Sequence, residues 1–206
     1  MLKTFATVAG MLLLALLVVA QTPATPAPAS DAPTYTAAGD LIAPTNYRQW
    51  VYLSTGIDMS YIASTEPADH HMFDNTFVNP SSYRSFLAAG TWPDKTTIVL
   101  EVRGADSPIS INKRGHTQSA EIMGFELHVK DHGKWAFYDY DGNGTTAKLI
   151  PPPATCYTCH QDHAAVDTTF VQFYPVLLPI AKQKGTLSPA YLKEIPAPPV
   201  ASPPAK

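Results

Sequence analysis

Cysteine is scarce in this chain, with Cys156 and Cys159 the only two among 206 residues. A structural zinc site would need more thiolates or a second Cys-His pair. A disulfide between these two cysteines would close a loop of two residues, which restricts little chain entropy and strains the bond. The formal charge is −3, with no basic stripe along the sequence, so no nucleic acid is expected as a partner.

A long apolar run is also missing. Residues 8–19 are apolar apart from one glycine, and this run is shorter than the about 20 residues of a transmembrane helix. Lys3 precedes the run and small residues end it at Ala20, as in a signal peptide. We predict a signal peptide at residues 1–20, with an uncleaved membrane anchor as the alternative, and a periplasmic or cell-surface location. No cysteine stands directly after the run, which excludes a lipid anchor attached to a cysteine at the cleavage site.

Two segments rich in proline and alanine flank the middle of the chain. Residues 21–45 and 195–206 offer too few apolar side chains to offset the entropy lost on ordering. We therefore predict a linker at residues 21–45 and a disordered tail at residues 195–206. Residues 46–194 between them are long enough for one domain with its own core.

Apolar periodicity predicts strands and short helices within this domain. Residues 96–103 form the clearest strand, because Ile98, Leu100 and Val102 alternate with a second set and give one wholly apolar face. Further strands are predicted at residues 57–63, 73–78, 122–130 and 134–140, and helices at residues 46–53 and from Asn79-Pro80 to Gly90. The sum predicts an α+β domain, a mainly antiparallel β-sheet with flanking helices.

The pentapeptide Cys156-Tyr157-Thr158-Cys159-His160 carries the main functional signal. Two thiols three residues apart can bond to both vinyl groups of a haem, and the adjacent imidazole can ligate its iron. A redox dithiol is the alternative, but such motifs stand at a helix start within a βαβ pattern, which this sequence lacks. We predict one covalently bound haem c per chain, held by Cys156 and Cys159, with His160 as the axial ligand.

The position of this motif separates classes of haem protein. It follows all five methionines, whereas small electron-transfer cytochromes c have an early motif and a late Met ligand. Four-helix cytochromes c prime would show long amphipathic helices, which this strand-rich sequence lacks.

Other side chains that could bind iron are assigned their commonest roles. Met123 is predicted in the core, His163 on the surface and Lys130 in a solvated turn. The run His70-His71-Met72 is predicted on an edge strand, and its alternatives are a sixth iron ligand or a surface metal site.

Several further stretches occur in the order typical of one known family. They are NYRQWV (46–51), FVNPSSY (77–83), PDKT (93–96), VKD (129–131), KWAFY (134–138) and FVQFYPVL (170–177). With the haem motif and Asp167, they make residues 46–178 similar to the cytochrome P460 family. The resemblance implies a mainly β homodimer with one five-coordinate c-type haem per subunit. It also implies that His160 is the proximal ligand and that the distal side is open to small nitrogen species.

One family feature is missing from this sequence. Cytochromes P460 that oxidise hydroxylamine bond a lysine covalently to the porphyrin, and the resemblance aligns Leu100 with that lysine. Leucine cannot form the bond. Lys95 and Lys113 are nearby in the sequence, but Lys95 could reach the haem edge only after a register shift of its strand, and the default roles are a solvated turn lysine for Lys95 and a loop lysine for Lys113. Leu100 is instead predicted to line an apolar distal pocket without a proton acceptor, as in the related cytochromes c prime beta. Asp162 aligns with an acidic family residue and is a candidate proton relay, with a surface carboxylate as the alternative.

These observations predict an exported mono-haem c-type cytochrome that binds NO, CO or related small nitrogen species at an open apolar site. The first alternative is an enzyme that oxidises hydroxylamine or NO, which needs the lysine adduct or an equivalent distortion of the ring. The second alternative is electron transfer with a periplasmic redox partner, which needs a sixth iron ligand.

Overall fold

An antiparallel β-sheet forms the centre of the fold, as expected for a mainly antiparallel α+β domain. The structure is a computed structural model and describes residues 30–61, 70–142 and 144–196. Within these residues the strands are β1 Thr34–Tyr35, β2 Leu41–Ile42, β3 Val51–Ile57, β4 Met72–Val78, β5 Thr97–Asp106, β6 Thr117–Asp131, β7 Lys134–Tyr140 and β8 Thr146–Ile150. Their order across the sheet is β1-β2-β8-β7-β6-β5-β4-β3.

Short helices accompany the sheet. In the described residues they are α1 Pro80–Ala89, α2 Thr155–His163, α3 Leu178–Lys184 and α4 Pro189–Glu194, with single 3-10 turns at Tyr47–Gln49 and Val171–Phe173. α1 begins at Pro80, as predicted, because proline fits the first turn of a helix. It ends at Gly90, whose φ of 76° is a left-handed conformation that glycine adopts without steric cost.

The central strand β5 separates two apolar clusters. Side chains alternate along a strand, so Ile98 and Val99 point to opposite faces of the sheet. Ile98 belongs to a cluster formed with Val78, Phe86, Trp92, Val166, Val171 and Leu177. Val99 belongs to a second cluster formed with Leu41, Tyr47, Phe125, Leu127 and Val129. One face of β5 is therefore packed against the C-terminal segments and the other against the segment that precedes β3.

The second half of the predicted linker is part of the fold. β1 and β2 lie within residues 21–45, and β2 pairs with β8. Leu41 is fully buried, and the Asp31 carboxylate accepts hydrogen bonds from the Ser81 backbone N–H at 2.7 Å and hydroxyl at 2.6 Å. The buried Leu41 side chain and the contact of the Asp31 carboxylate with the start of α1 thus anchor a segment whose composition indicates disorder. The linker prediction does not hold from residue 31 onward.

Two further sequence predictions were wrong in part. The helix predicted at residues 46–53 is limited to the turn Tyr47–Gln49, because Val51 and the residues after it form β3 and pair with β4. β-Branched and aromatic side chains fit this pairing better than a helix. The strand predicted at residues 57–63 ends at Ile57 in its described part.

The predicted signal peptide lies outside the described residues, as does the predicted tail from residue 197 onward. Among the described residues, no helix has both the length and the apolar character that a membrane crossing requires.

Candidate functional site

The cysteine-histidine motif lies on α2. Cys156 and Cys159 are three residues apart and therefore lie on the same side of the helix. Both are half-buried free thiols, and both line one cavity together with His160. α2 thus presents two sulfur nucleophiles and one imidazole to the same space.

The imidazole of His160 is buried and held in one orientation. Its Nδ1 donates a hydrogen bond to the Thr168 carbonyl oxygen at 2.8 Å, so the lone pair is on Nε2. The rings of Phe170 and Phe137 pack around it, with centres 4.2 and 4.7 Å from the imidazole centre. Burial first, and then the nearby His128, lower the pKa of His160 to about 4. The imidazole is therefore neutral near pH 7, which is the form that ligates a metal.

A tight turn at residues 166–169 presents the Thr168 carbonyl to His160. Asp167 and Thr168 have φ angles of 47° and 55°, which are unfavourable for residues other than glycine. Lys130 secures this turn, because its Nζ donates to Asp167 Oδ2 at 2.5 Å and to the Trp92 carbonyl at 2.8 Å. The Lys130 side chain is only 13% exposed, so the prediction of a solvated turn lysine was wrong.

A cavity of about 650 Å³ lies between the sheet and α2. β5 contributes Ile98, Leu100 and Val102, the apolar face that the sequence predicts. Across the sheet, Leu100 is paired with Thr76 on β4 and with Glu126 on β6, and both of these residues also line the cavity. The structure thus brings Leu100 and the motif of α2 into one cavity.

The cavity is not wholly apolar, which corrects the sequence prediction of a pocket without a proton acceptor. Asp74, Glu126 and His128 line it beside the apolar residues of β5. The neighbouring His128, whose Nε2 lies 3.6 Å from Glu126 Oε2, is the largest effect on Glu126 and lowers the pKa of that carboxyl group. Burial first, and then the charges of Glu126 and Asp58, raise the pKa of Asp74. Two carboxylates of different proton affinity are therefore available to accept or pass a proton.

Other candidates from the sequence lie away from the cavity lining. Asp162 is exposed on α2, so the relay role suggested for it has no geometric support. His163 pairs with Glu194, and Met123 is 49% exposed rather than in the core.

The two lysines considered in place of Leu100 have partners elsewhere. Lys95 pairs with Asp131 at 2.7 Å, and Lys113 donates to the Ser110 carbonyl at 2.5 Å. Within the described part of the chain, no lysine lines the cavity, whereas Met59 and Met72 do.

A buried ion-pair network lies directly behind Leu100. Glu101 is fully buried on the opposite face of β5 and accepts hydrogen bonds from Tyr47, Arg48 and Arg103. Burial alone would raise the pKa of Glu101, but these hydrogen bonds and the two guanidinium charges outweigh it and lower the pKa. The network connects the turn at Tyr47–Gln49 to the strand whose other face lines the cavity.

The donor set of the cavity fits a haem, since it combines two free thiols, a neutral imidazole with a free Nε2, and an apolar wall. Comparison with known protein families gives a match to cytochrome P460 over residues 44–171. That span contains the motif on α2, Leu100 and the pair Lys130–Asp167, and it confirms the resemblance drawn from the sequence. No curated protein matches the chain. Because this match covers more than half of its length, the chain belongs to the cytochrome P460 family of haem-binding cytochromes.

Proposed function

We propose that this cytochrome is a c-type protein with one haem, bound covalently through Cys156 and Cys159 and ligated by His160. The observation that carries the proposal is that both free thiols and the neutral imidazole line one cavity of about 650 Å³. Cofactor cavities commonly have volumes of about 300–1,000 Å³. When bound, the haem supplies an iron that coordinates small ligands and changes redox state.

The chain's own residues prepare the proximal side of this site. The Thr168 carbonyl fixes the His160 tautomer, and Lys130 holds the turn that carries this carbonyl. An imidazole that donates from Nδ1 to an oxygen is a more basic ligand through Nε2. We infer that these contacts set the strength of the iron–histidine bond.

We propose that the open side of the haem binds neutral diatomic ligands such as NO and CO. Ile98, Leu100 and Val102 offer an apolar wall with no atom that ligates iron. The carboxylates Asp74 and Glu126 add negative charge to the cavity, which disfavours anionic ligands.

The optical spectrum of the reduced, haem-loaded protein with and without CO tests this proposal. We expect a saturable spectral change on CO addition, because an open coordination position accepts the ligand. A six-coordinate, low-spin spectrum that CO leaves unchanged would instead support electron transfer. The variants Met59→Leu and Met72→Leu serve as matched controls, since a methionine ligand would be revealed by CO binding that appears only in one of them.

A second function, hydroxylamine oxidation, is favoured by Glu126 and Asp74. This reaction removes protons from nitrogen and oxygen, and a positioned carboxylate contributes typically about 10²–10⁴-fold to such a step. Leu100 stands against it, because the family's oxidising members need a lysine at that position. We treat this function as the alternative to ligand binding.

Hydroxylamine-dependent reduction of an artificial electron acceptor separates the two functions. Turnover that falls at least about 10-fold in Glu126→Gln, but not in Glu121→Gln, would establish the enzyme. Glu121 is a suitable control because it is exposed on the same strand, outside the cavity lining. Absence of turnover in the unmodified protein, together with CO binding, would support the ligand-binding function.

We further propose that the chain is exported to the periplasm or cell surface by residues 1–20, acts as a homodimer, and exchanges electrons with a periplasmic partner. Haem attachment through thioether bonds takes place outside the bacterial cytoplasm, which supports export. Cleavage at Ala20 is tested by N-terminal sequencing of the mature protein. The dimer is tested by the mass of the native protein in solution.

A further inference from the structure

Two histidines that the haem site does not use face each other where β4 and β6 begin. β4 lies between β3 and β5, so the prediction that His70-His71-Met72 belongs to an edge strand was wrong. His71 precedes β4 and His116 precedes β6. β5 lies between these strands, pairing Gly104 with Met72 and Asp106 with Thr117. This register brings the two imidazole rings together, with centres 4.3 Å apart and planes inclined by 40°.

Each of these imidazoles has its Nδ1 beside an oxygen acceptor. His71 Nδ1 is 2.6 Å from Asp58 Oδ2, and His116 Nδ1 is 3.3 Å from the Asp106 carbonyl oxygen. An Nδ1–H that donates to oxygen leaves the lone pair on Nε2. Histidine ligands of metal ions show this same arrangement, in which a carboxylate or carbonyl fixes the ring and raises its basicity.

Asp58 is held firmly in the position that orients His71. Its backbone is in the left-handed region with a φ of 51°, a conformation that is unusual for a residue other than glycine. Its Oδ1 accepts a hydrogen bond from the Met72 backbone N–H at 2.9 Å, and its N–H donates to the Met72 carbonyl at 3.0 Å. These two backbone contacts fix the Asp58 carboxylate beside His71 Nδ1.

We propose that His71 and His116 bind one divalent cation of the kind that prefers imidazole, such as Zn²⁺ or Cu²⁺, through their Nε2 atoms. Two imidazoles on one zinc ion, each bound at about 2.0–2.1 Å, have ring centres roughly 4.5–5.5 Å apart. The observed separation of 4.3 Å is close to this range, and both side chains have room to adjust, since His116 is exposed and His71 is 41% exposed. In the described ranges no set of three His, Cys, Asp or Glu side chains surrounds one point, so water completes the coordination.

The site lies beside the haem cavity without sharing its ligands. Met72 follows His71 directly and lines the cavity, and Asp74 lines it two residues further on. A cation bound here therefore adds positive charge close to the strand that carries Asp74 into the cavity. The site does not depend on the ligand or reaction proposed for the haem.

Calorimetric titration of the haem-loaded protein with ZnCl₂ tests the proposal. We expect one saturable site per chain, and at least 10-fold weaker binding in His71→Ala and in His116→Ala. Asp58→Asn keeps the size of the side chain but removes the charge that orients His71, and it is expected to weaken binding by about 10- to 100-fold. His132→Ala is the matched control, because the His132 side chain is 90% exposed and belongs to a different turn.

Electron paramagnetic resonance of one equivalent of Cu²⁺ gives a second, independent measurement. Hyperfine structure from two equivalent imidazole nitrogens is expected in the unmodified protein and in His132→Ala, and one nitrogen in either single variant of the pair. Zinc affinity and copper spectra that remain unchanged in His71→Ala and His116→Ala would overturn the proposal, as would the absence of saturable binding.

Discussion

The two faces of the sheet around β5 carry acidic residues in opposite situations. On the packed face, Glu101 is fully buried and its carboxylate is bound by Tyr47, Arg48 and Arg103. On the cavity face, Asp74 and Glu126 line an open space, and among the described residues no lysine or arginine forms an ion pair with either carboxylate. The two faces of one sheet thus hold one carboxylate that is fully engaged and two carboxylates that line the cavity.

This difference distinguishes a carboxylate that stabilises the fold from carboxylates that can exchange protons with a ligand. A buried carboxylate that is paired with cations contributes to folding and cannot exchange protons readily, because its charged form is stabilised. A carboxylate that lines a cavity without a lysine or arginine partner keeps its proton chemistry available to a ligand. We therefore assign Glu101 to the stability of the sheet and Asp74 and Glu126 to the chemistry of the cavity.

Removing the engaged carboxylate should have the largest effect on folding. Glu101→Ala leaves Arg103 and Tyr47 without their acceptor, and breaking a buried ion pair costs about 3–5 kcal/mol. Glu126→Ala on the other face should change the free energy of unfolding by less than about 0.5 kcal/mol. Denaturant unfolding of both haem-loaded variants checks this contrast. Equal losses in the two variants would break the distinction between the faces.

Lys130→Met extends the comparison of buried and exposed charged groups to the His160 side of the cavity. Lys130 is nearly buried and paired with Asp167, and loss of its hydrogen bonds to a charged and a carbonyl group should cost about 1.5–3 kcal/mol. The weaker support of Thr168 should also raise the midpoint potential and lower the iron–histidine stretching frequency, because the imidazole becomes a poorer donor.

Lys95→Met is the control for this variant, since the pair Lys95–Asp131 is exposed and an exposed pair is worth about 0–1 kcal/mol. A shift of potential and stretching frequency in Lys95→Met as large as in Lys130→Met would contradict the role given to the Asp167 turn.

Adjacent residues of β5 should respond differently to truncation. Val99 is 1% exposed within the packed cluster, so Val99→Ala should lower the free energy of unfolding by about 1.5 kcal/mol without altering CO binding. Leu100→Ala enlarges the cavity and should change the CO association rate several-fold. Flash photolysis of the CO complex checks both variants, and a changed rate in Val99→Ala alone would reverse the assignment of the faces.

The smallest effect concerns acid stability. The pKa of Glu101 in the folded protein lies below its ordinary value of 4.5, so its contribution to stability is full above pH 4.5 and is lost as the pH falls through the lowered pKa. Glu101→Gln should therefore show a shallower loss of unfolding free energy below pH 4.5 than the unmodified protein. Unfolding curves at several acidic pH values measure the two slopes, which should not be parallel.

The sequence predicts the strands that show regular alternation. β7 was predicted with its observed bounds, and β5 with the correct cavity face, because these strands repeat apolar and polar residues over several positions. β8, with five residues, is too short to give such a signal, and its Ala147 is buried through its pairing with β2. Leu41 likewise joins the core through contacts that the composition of residues 21–45 does not reveal.

The cavity could be predicted only in part for the same reason. Cys156, Cys159 and His160 form a local motif, and Leu100 belongs to a regular strand. The alternation along residues 122–130 puts Glu126 and His128 on the polar side of β6. The register that places Glu126 opposite Leu100 is a long-range property. A sequence pattern gives the faces of each strand, but not which face of one strand adjoins which face of the next.

The covalent haem is tested most directly by the intact mass of denatured protein that has matured in a host with c-type haem attachment. We predict that every chain carries the added mass of one haem, and that the double variant Cys156→Ser/Cys159→Ser has the mass of the polypeptide alone. An unmodified mass for the mature wild-type chain would contradict the assignment of Cys156, Cys159 and the cavity to a covalently bound haem.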